Sequence, residues 1–186
     1  MNFDQYAKEI HAHNVKVGWW NPPQDCLFQK LQLVSTEVSE ATEGERKNLM
    51  DDKLPHRKMG EVELADALIR VLDIGGRLGY RVSSVAKPHD WTVDAASFSN
   101  LKRSIGAQHL AINIIVCKLG EALDNRTDLK ETWREYCYSS LLLTICQVAE
   151  NQGYDIESAM NEKIEFNAVR PDHKPENRAK KHGKRF

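Results

Sequence analysis

Apolar side chains recur at helical spacing through most of the chain, and this periodicity constrains the fold more than any other feature. In the segment that begins at residue 26, apolar residues follow the spacing i, i+4, i+7 and i+11, which aligns them on one helix face. They are Leu27, Leu31, Val34, Val38 and Ala41. A segment near residue 60 repeats the pattern with Val62, Ala65, Ile69 and Leu72. Two amphipathic helices of this kind predict a helical bundle.

The same spacing, with glycine and proline as breakers, predicts an all-α fold of about six helices and no strand. Gly18 and the Pro22-Pro23 pair end the first helix, because proline cannot continue an α-helix. The predicted helices cover residues 3–17, 26–48, 57–78, about 101–123, 130–151 and 156–168, with a loop at 82–98. At 186 residues, the chain predicts one domain, 1–186, that can bury a genuine core.

The charge balance excludes several classes of partner. Lys and Arg number 26 against 27 Asp and Glu, a net charge of -1, so we expect no nucleic acid partner. The C-terminal segment, 171–186, is nevertheless basic. No apolar run approaches the ~20 residues of a membrane span, and the N-terminal residues resemble no secretory signal. Four cysteines without a CxxC pair are typical of reduced thiols, so we expect a cytoplasmic protein without membrane contact.

The chain also carries a faint internal repeat. "LQLVSTEVSEATEG" aligns with "INIIVCKLGEALDN", and "ELADALIRVLDIGGRLGY" aligns with "CYSSLLLTICQVAENQGY". The aligned positions are Glu37 with Lys118, Glu40 with Glu121, Glu63 with Cys137 and Asp66 with Ser140. We therefore predict a catalytic repeat at 1–81 and, at 100–168, a degenerate repeat that keeps the apolar stripe but loses most of the acids.

Four acids of the first repeat are candidate metal ligands. Glu37 and Glu40, like Glu63 and Asp66, are spaced i, i+3, which brings each pair onto one helix face. If the two helices pack antiparallel, the pairs converge, and crowded carboxylates favour a hard cation such as Mg²⁺. The alternative is a set of solvent-exposed acids. Glu43, Glu45 and Glu61 fit that alternative better, whereas Asp73 is an undecided ligand or base-site residue.

These segments resemble the MazG-like all-α nucleoside triphosphate pyrophosphohydrolases. "STEVSEATEGERK" with "EVELADALIRVLDIGGRLGY" is similar to the ExxE…ExxD signature of that family, and "VGWWNPP", "EKIEFNAVRP" and "KKHGKRF" resemble flanking motifs of its small phage and bacterial members. Two features depart from the pattern. Thr36 stands where the family often has a second glutamate, and residues 82–152 interrupt the motif order.

The resemblance implies hydrolysis of an NTP or dNTP to the monophosphate and pyrophosphate, with Mg²⁺ as the cofactor and Mn²⁺ as a substitute. It implies that Glu37, Glu40, Glu63 and Asp66 hold the metal, with Glu37 and Glu40 as catalytic residues and Glu37 favoured as the general base. The implied substrate-binding residues are Lys30, Trp20, Asn21, Asp73, Lys163, Asn167 and Arg170.

The same resemblance leaves the substrate open. A purine deoxynucleotide, dGTP or dATP, is the first expectation, and a dUTPase or dCTPase of the same fold is the alternative. A non-catalytic, nucleotide-binding helical regulator belongs to a different class and also stays open. The resemblance also implies a homo-oligomer, either a dimer or a tetramer, in the cytoplasm of a bacterium or of a phage-infected host.

Overall fold

The computed structural model describes residues 1–21, 26–82, 104–124, 130–171, 177 and 180. These residues form six helices and no strand, so the all-α prediction is confirmed for them. The helices are α1 (Phe3–Lys16), α2 (Cys26–Lys47), α3 (Met59–Leu78), α4 (Ile105–Leu123), α5 (Glu131–Asn151) and α6 (Ile156–Val169). Most of the predicted loop at 82–98 and of the basic tail lies outside the described residues.

Helix α3 is the centre of the bundle. It packs against α1, α2, α5 and α6, and from Gly60 to Gly75 nearly every one of its residues is buried. Helices α4 and α5 pack on each other, and α4 also contacts α2. The apolar stripes predicted for α2 and α3 supply core residues such as Val34, Val38 and Ala65, each fully buried. Burial of this apolar surface is the main force that holds the helices together.

The connection between α2 and α3 makes these two helices antiparallel neighbours. Asp51 Oδ1 accepts hydrogen bonds from the backbone N–H groups of Lys53 and Leu54, at 2.9 and 2.7 Å, which fixes a tight turn. The Met59 N–H donates to the Leu49 carbonyl at 3.0 Å and closes the connection. Acids near the middle of α2 therefore lie opposite acids near the middle of α3.

Helices α3 and α5 end in the same way. Gly79 and Gly153 have left-handed φ values of 73° and 74°, a conformation that glycine adopts without steric cost. After each glycine comes a tyrosine whose N–H bonds back into the helix: Tyr80 to the Gly75 carbonyl at 3.1 Å, and Tyr154 to the Ala149 carbonyl at 3.0 Å. The predicted repeat pairs these positions, and the repeat itself stays a prediction.

The contact between α3 and α5 requires a residue without a side chain. A Cβ atom built on Gly75 would overlap the phenol group of Tyr138, which is 1% exposed. The ring of Tyr138 also packs against Tyr80, with 5.7 Å between ring centroids. Close packing at this position therefore joins α3 to α5.

Of the acids predicted at the surface, Glu61 lies inside, so that prediction was wrong for Glu61. Glu61 is 8% exposed and accepts hydrogen bonds from Arg57 Nη1 at 2.8 Å and from the Asp155 N–H at 3.1 Å. Glu45 is half-buried and accepts a hydrogen bond from the Tyr154 hydroxyl. Both acids meet the start of α6, a distant segment whose position their local sequence does not indicate.

The described cysteines and helices bear on two further expectations. Cys117, Cys137 and Cys146 are free thiols; Cys137 is buried, whereas Cys117 is exposed. Within the described part of the chain, no helix combines the length and the apolar character needed to cross a membrane.

Candidate functional site

A cavity of about 800 Å³ opens between α1, α2, α3 and α6. Nine of the residues predicted for the site line it: Lys30, Glu37, Glu40, Glu63, Asp66, Asp73, Lys163, Asn167 and Arg170. They come from α2, from α3 and from the end of α6 with its C-cap Arg170, and within each of these elements they are spaced three, four or seven positions apart. The antiparallel packing of α2 and α3 and the return of α6 across them bring these faces together.

Three carboxylates form the tightest cluster in the cavity. Glu37, Glu63 and Asp66 each offer an oxygen atom, and these atoms lie within 4.8 Å of one another. Glu37 and Glu63 are buried, at 6% and 5% exposure. Glu40 lines the same cavity beside them, but its side chain is exposed. The structure thus brings the four predicted acids together, with three at the centre and Glu40 at the edge.

The crowding of these acids changes their protonation. Burial, together with the charge of Asp66, raises the pKa of Glu63 to about 8. Burial and the charge of Glu37 also raise the pKa of Asp66, although Lys163 opposes the shift. The pKa of Glu40 is raised by partial burial and by Glu37 and Asp66. The cluster therefore holds protons more tightly than separate acids would, and a bound cation would relieve the same repulsion.

Two basic side chains already balance part of this charge. Lys163, only 1% exposed, lies with its Nζ 2.9 Å from Asp66 Oδ2. Burial alone would lower the pKa of this lysine, but Asp66 and Glu63 outweigh that effect and raise it. Arg70 donates from Nε to Glu37 Oε1 at 2.6 Å, and its Nη2 pairs with the same oxygen. Each cation neutralises one member of the cluster.

The donor set fits a hard divalent cation. Mg²⁺ prefers carboxylate oxygens and commonly combines one or two of them with substrate phosphates and water. Glu37, Glu63 and Asp66 present such oxygens from two rigid helices, with Glu40 beside them. The four acids outnumber Arg70 and Lys163, so the site keeps a negative excess when its carboxylates are ionised. We find the residues compatible with Mg²⁺ or Mn²⁺.

Asp73 has a different setting from the acid cluster. It is 4% exposed, and its oxygens accept hydrogen bonds from Asn14 Nδ2 at 2.8 Å and from Trp20 Nε1 at 2.9 Å. The Nδ1 atom of His11 lies 2.9 Å from the same carboxylate. These contacts tie α1 and the turn after it to α3. Asp73 lines the cavity, but its main visible role is to position other side chains.

The aromatic turn after α1 places Trp19, rather than Trp20, on the cavity wall. Lys30 is 5% exposed, and its Nζ lies 5.2 Å from the ring centroid of Trp19 and 5.7 Å from that of Trp20. Asn21 is exposed and does not line the cavity. Trp20 and Asn21 were both predicted to bind the substrate, and neither lines the cavity. Trp20 instead donates a hydrogen bond to Asp73, which does line it.

The C-terminal part of α6 and its C-cap residue, Arg170, contribute polar residues to the cavity. Lys163, Asn167 and Arg170 follow the spacing i, i+4, i+7, and all three line the cavity. Arg170 Nη1 lies 3.4 Å from Asn167 Oδ1, and its guanidinium stands 5.6 Å from the centroid of Phe166. This end of the cavity can therefore offer both an amide and a cation to a ligand.

Among the lining residues that were not predicted from the sequence, Arg70 and Lys53 are the two that carry a positive charge. Arg70 follows Asp66 by four positions and Glu63 by seven, so helical spacing could have placed it on the acidic face of α3. Lys53 comes from the connection between α2 and α3. Its positive charge opposes the rise in the pKa of Glu40 that burial and the neighbouring acids cause. No sequence signal marked Lys53, because its position depends on how the connection folds.

Comparisons with protein-family models, with curated proteins and with solved structures gave no match to this chain. Its function therefore has to be inferred from its own residues and their geometry.

Proposed function

We propose that the chain is a Mg²⁺-dependent nucleotide pyrophosphohydrolase that converts a (d)NTP to the monophosphate and pyrophosphate. One observation carries the proposal. A buried cluster of three carboxylates and the cations Lys163, Arg70, Lys30 and Arg170 share one cavity. Acids suit a divalent ion, and the surrounding cations suit the phosphates that such an ion accompanies. The sequence resemblance to MazG-like enzymes supports the same reaction.

The chemistry assigned to the chain is a hydrolytic displacement at the α-phosphorus. Glu37, Glu40, Glu63 and Asp66 would hold the metal, which supplies positive charge that polarises the phosphate oxygens. A water molecule attacks the α-phosphorus, and the bond from this phosphorus to the bridging oxygen breaks, so that pyrophosphate leaves. Glu37 or Glu40 takes the proton of the attacking water. Both glutamates line the cavity, as this role requires.

The basic side chains would bind the triphosphate and stabilise the charge that develops on its oxygens. Lys163 reaches the acid cluster from α6, while Lys30 lines the same cavity beside the tryptophans. Trp19 lines the cavity and would offer its aromatic face to the base of the nucleotide. Trp20 and Asn21 follow Trp19 in the chain but do not line the cavity. We retain a purine dNTP, dGTP or dATP, as the first expected substrate, with dUTP or dCTP as the alternative.

A second candidate is a helical regulator that binds nucleotides without hydrolysing them. It is favoured by the ion pairs of Glu37 with Arg70 and of Asp66 with Lys163, which partly neutralise the cluster without a metal. Such a regulator would bind nucleotides equally well with Mg²⁺ or with EDTA. The pyrophosphohydrolase would need Mg²⁺ for both product release and tight binding.

The deciding experiment is a screen of ribo- and deoxyribonucleoside triphosphates with Mg²⁺, in which pyrophosphate and monophosphate are both quantified. We expect both products in equal amounts from at least one substrate, and none in EDTA. If no triphosphate releases pyrophosphate, the chain is not this enzyme. Light scattering on the same sample would test whether the protein forms the expected dimer or tetramer. We propose that the enzyme acts in the cytoplasm.

A further inference from the structure

We propose that Arg70 exchanges partners during the reaction: it leaves Glu37 when a divalent ion binds and then binds a phosphate group of the substrate. This inference rests on the proposed function and adds a residue to it that the sequence motifs do not contain. It makes Arg70 both a competitor of the metal and a ligand of the substrate.

The contact between Arg70 and Glu37 is the first reason. Nε and Nη2 of Arg70 both pair with Glu37 Oε1, and Glu37 is one of the three acids whose oxygens converge within 4.8 Å. A carboxylate oxygen that accepts two guanidinium N–H groups is a poorer donor to a metal ion, and two cations close together repel each other. Metal binding at Glu37 and the ion pair with Arg70 therefore oppose each other.

The contrast with Lys163 identifies which cation can move. Lys163 is 1% exposed and is enclosed between α3 and α6, so its ammonium group stays beside Asp66. The Arg70 side chain is 32% exposed and lines the cavity. Rotation of its long side chain into the cavity needs no change in the helices, and a guanidinium is hydrated more weakly than an ammonium group. Arg70 is thus the mobile counter-cation of the cluster.

The position of Arg70 on α3 gives the released guanidinium a destination. It lies four residues after Asp66 and three before Asp73, so it stands between the acid cluster and the end of the cavity with the tryptophans. At 1.5 Å per residue, its Cα is about 6 Å along the helix axis from that of Asp66. A phosphate chain that runs from the metal toward the tryptophans would pass Arg70, whose planar fork can bind two phosphate oxygens.

The test measures two affinities that should change in opposite directions. Mn²⁺ binding would be measured by calorimetry, and binding of inorganic pyrophosphate in Mg²⁺ would be measured separately, for wild type, Arg70→Gln and Arg70→Lys. We expect Arg70→Gln to bind Mn²⁺ about tenfold more tightly and pyrophosphate about tenfold more weakly, within the usual range of coupling between sites. Arg70→Lys keeps the charge, so both of its affinities should lie nearer those of wild type.

Arg46→Gln is the matched control. Arg46 is an exposed arginine on α2 that pairs with Glu43 at 2.7 Å, away from the cavity, so its loss makes the same change in net charge. We expect both affinities of this variant to stay within about twofold of wild type, as is usual for exposed pairs.

Three results would overturn the inference, and they differ in what else they affect. If wild type binds Mn²⁺ and hydrolyses a triphosphate but Arg70→Gln leaves both affinities unchanged, the exchange of partners is wrong and the proposed function stands. If wild type binds neither Mn²⁺ nor pyrophosphate, the proposed function fails together with the inference. A fall in both affinities would assign Arg70 a structural role.

Discussion

Helices α2 and α3 form one packed pair and helices α4 and α5 another, and the two pairs differ in chemistry. In the acidic pair, α2 and α3, the charges of Glu37 and Glu40 act on Glu63 across the interface. In the neutral pair, α4 and α5, the charges of Lys118 and Glu121 act on Cys137, which the predicted repeat aligns with Glu63. Corresponding positions thus lie near each other in both pairs, and only one pair concentrates acids there.

The comparison indicates what the acids are for. Glu63 and Cys137 are both buried, at 5% and 0% exposure, so burial at this position does not require a carboxylate. A thiol packs there without electrostatic cost, whereas burial, together with the like charges around it, raises the pKa of Glu63 to about 8. Buried acids that lower the stability of the metal-free protein are typical of a binding or catalytic site.

The largest expected effect is a loss of activity on mutation of the acidic pair, with no such loss on mutation of the neutral pair. Glu40→Gln and Asp66→Asn should each lower pyrophosphate release about 10³-fold or more, because each removes a carboxylate from the proposed metal site. The aligned substitutions in the neutral pair, Glu121→Gln and Ser140→Ala, should leave the rate within about twofold, as expected away from the reacting groups. Single-turnover assays on all four variants would measure the difference.

The two acid substitutions differ in their side effects. Asp66→Asn removes the partner of buried Lys163 and should also destabilise the fold, whereas exposed Glu40 carries no such cost. Circular dichroism would confirm that the helices persist. Full activity in Glu40→Gln, or loss of activity in Glu121→Gln, would contradict the assignment of chemistry to α2 and α3.

The next effect concerns the pH dependence of the metal-free protein. Glu63 binds its proton more tightly when folded, with a pKa raised to about 8 from 4.5. Its contribution to stability is therefore fully present below pH 4.5 and is lost as the pH rises through 8. We expect Glu63→Gln to abolish a loss on the order of 3 kcal/mol between pH 5 and pH 9.

Thermal unfolding in EDTA across that pH range would measure this loss, and Mg²⁺ should stabilise wild type more at pH 8 than at pH 6. Cys137→Ser is the control from the neutral pair, because burial raises the pKa of the thiol to about 11 and keeps it protonated there. Equal pH dependence in wild type and Glu63→Gln would show that repulsion in the acidic pair is unimportant.

The smallest effect tests the contact that joins the two pairs. Gly75→Ala should lower the free energy of unfolding by about 2 kcal/mol, because the new methyl group overlaps Tyr138 and forces it to move. Gly106→Ala in α4 meets no atom within 4 Å and should raise it by about 0.5 kcal/mol through helix propensity. Urea unfolding of both variants measures these changes, and equal signs would argue against tight α3–α5 packing.

Local patterns were sufficient to predict the helices, and the structure has all six close to their predicted bounds. Helical spacing also placed Glu63 and Asp66 on one face. It could not determine which side chains from other helices would meet that face, because this depends on how the helices rotate and pack. For that reason the partner of Glu37, the donors to Asp73 and the buried setting of Glu61 became visible only in the structure.

One face of α3 presents Glu63, Asp66, Arg70 and Asp73 in sequence along the cavity. Ten residues of helix separate the first from the last, a distance of about 15 Å along the axis. In the proposed enzyme, the fixed spacing of these residues on the helix would select ligands by their length. The metal end is fixed by Glu63, and the aromatic end is fixed by the hydrogen bonds of Asp73. A ligand with the right groups but the wrong length could engage one end and would miss the other.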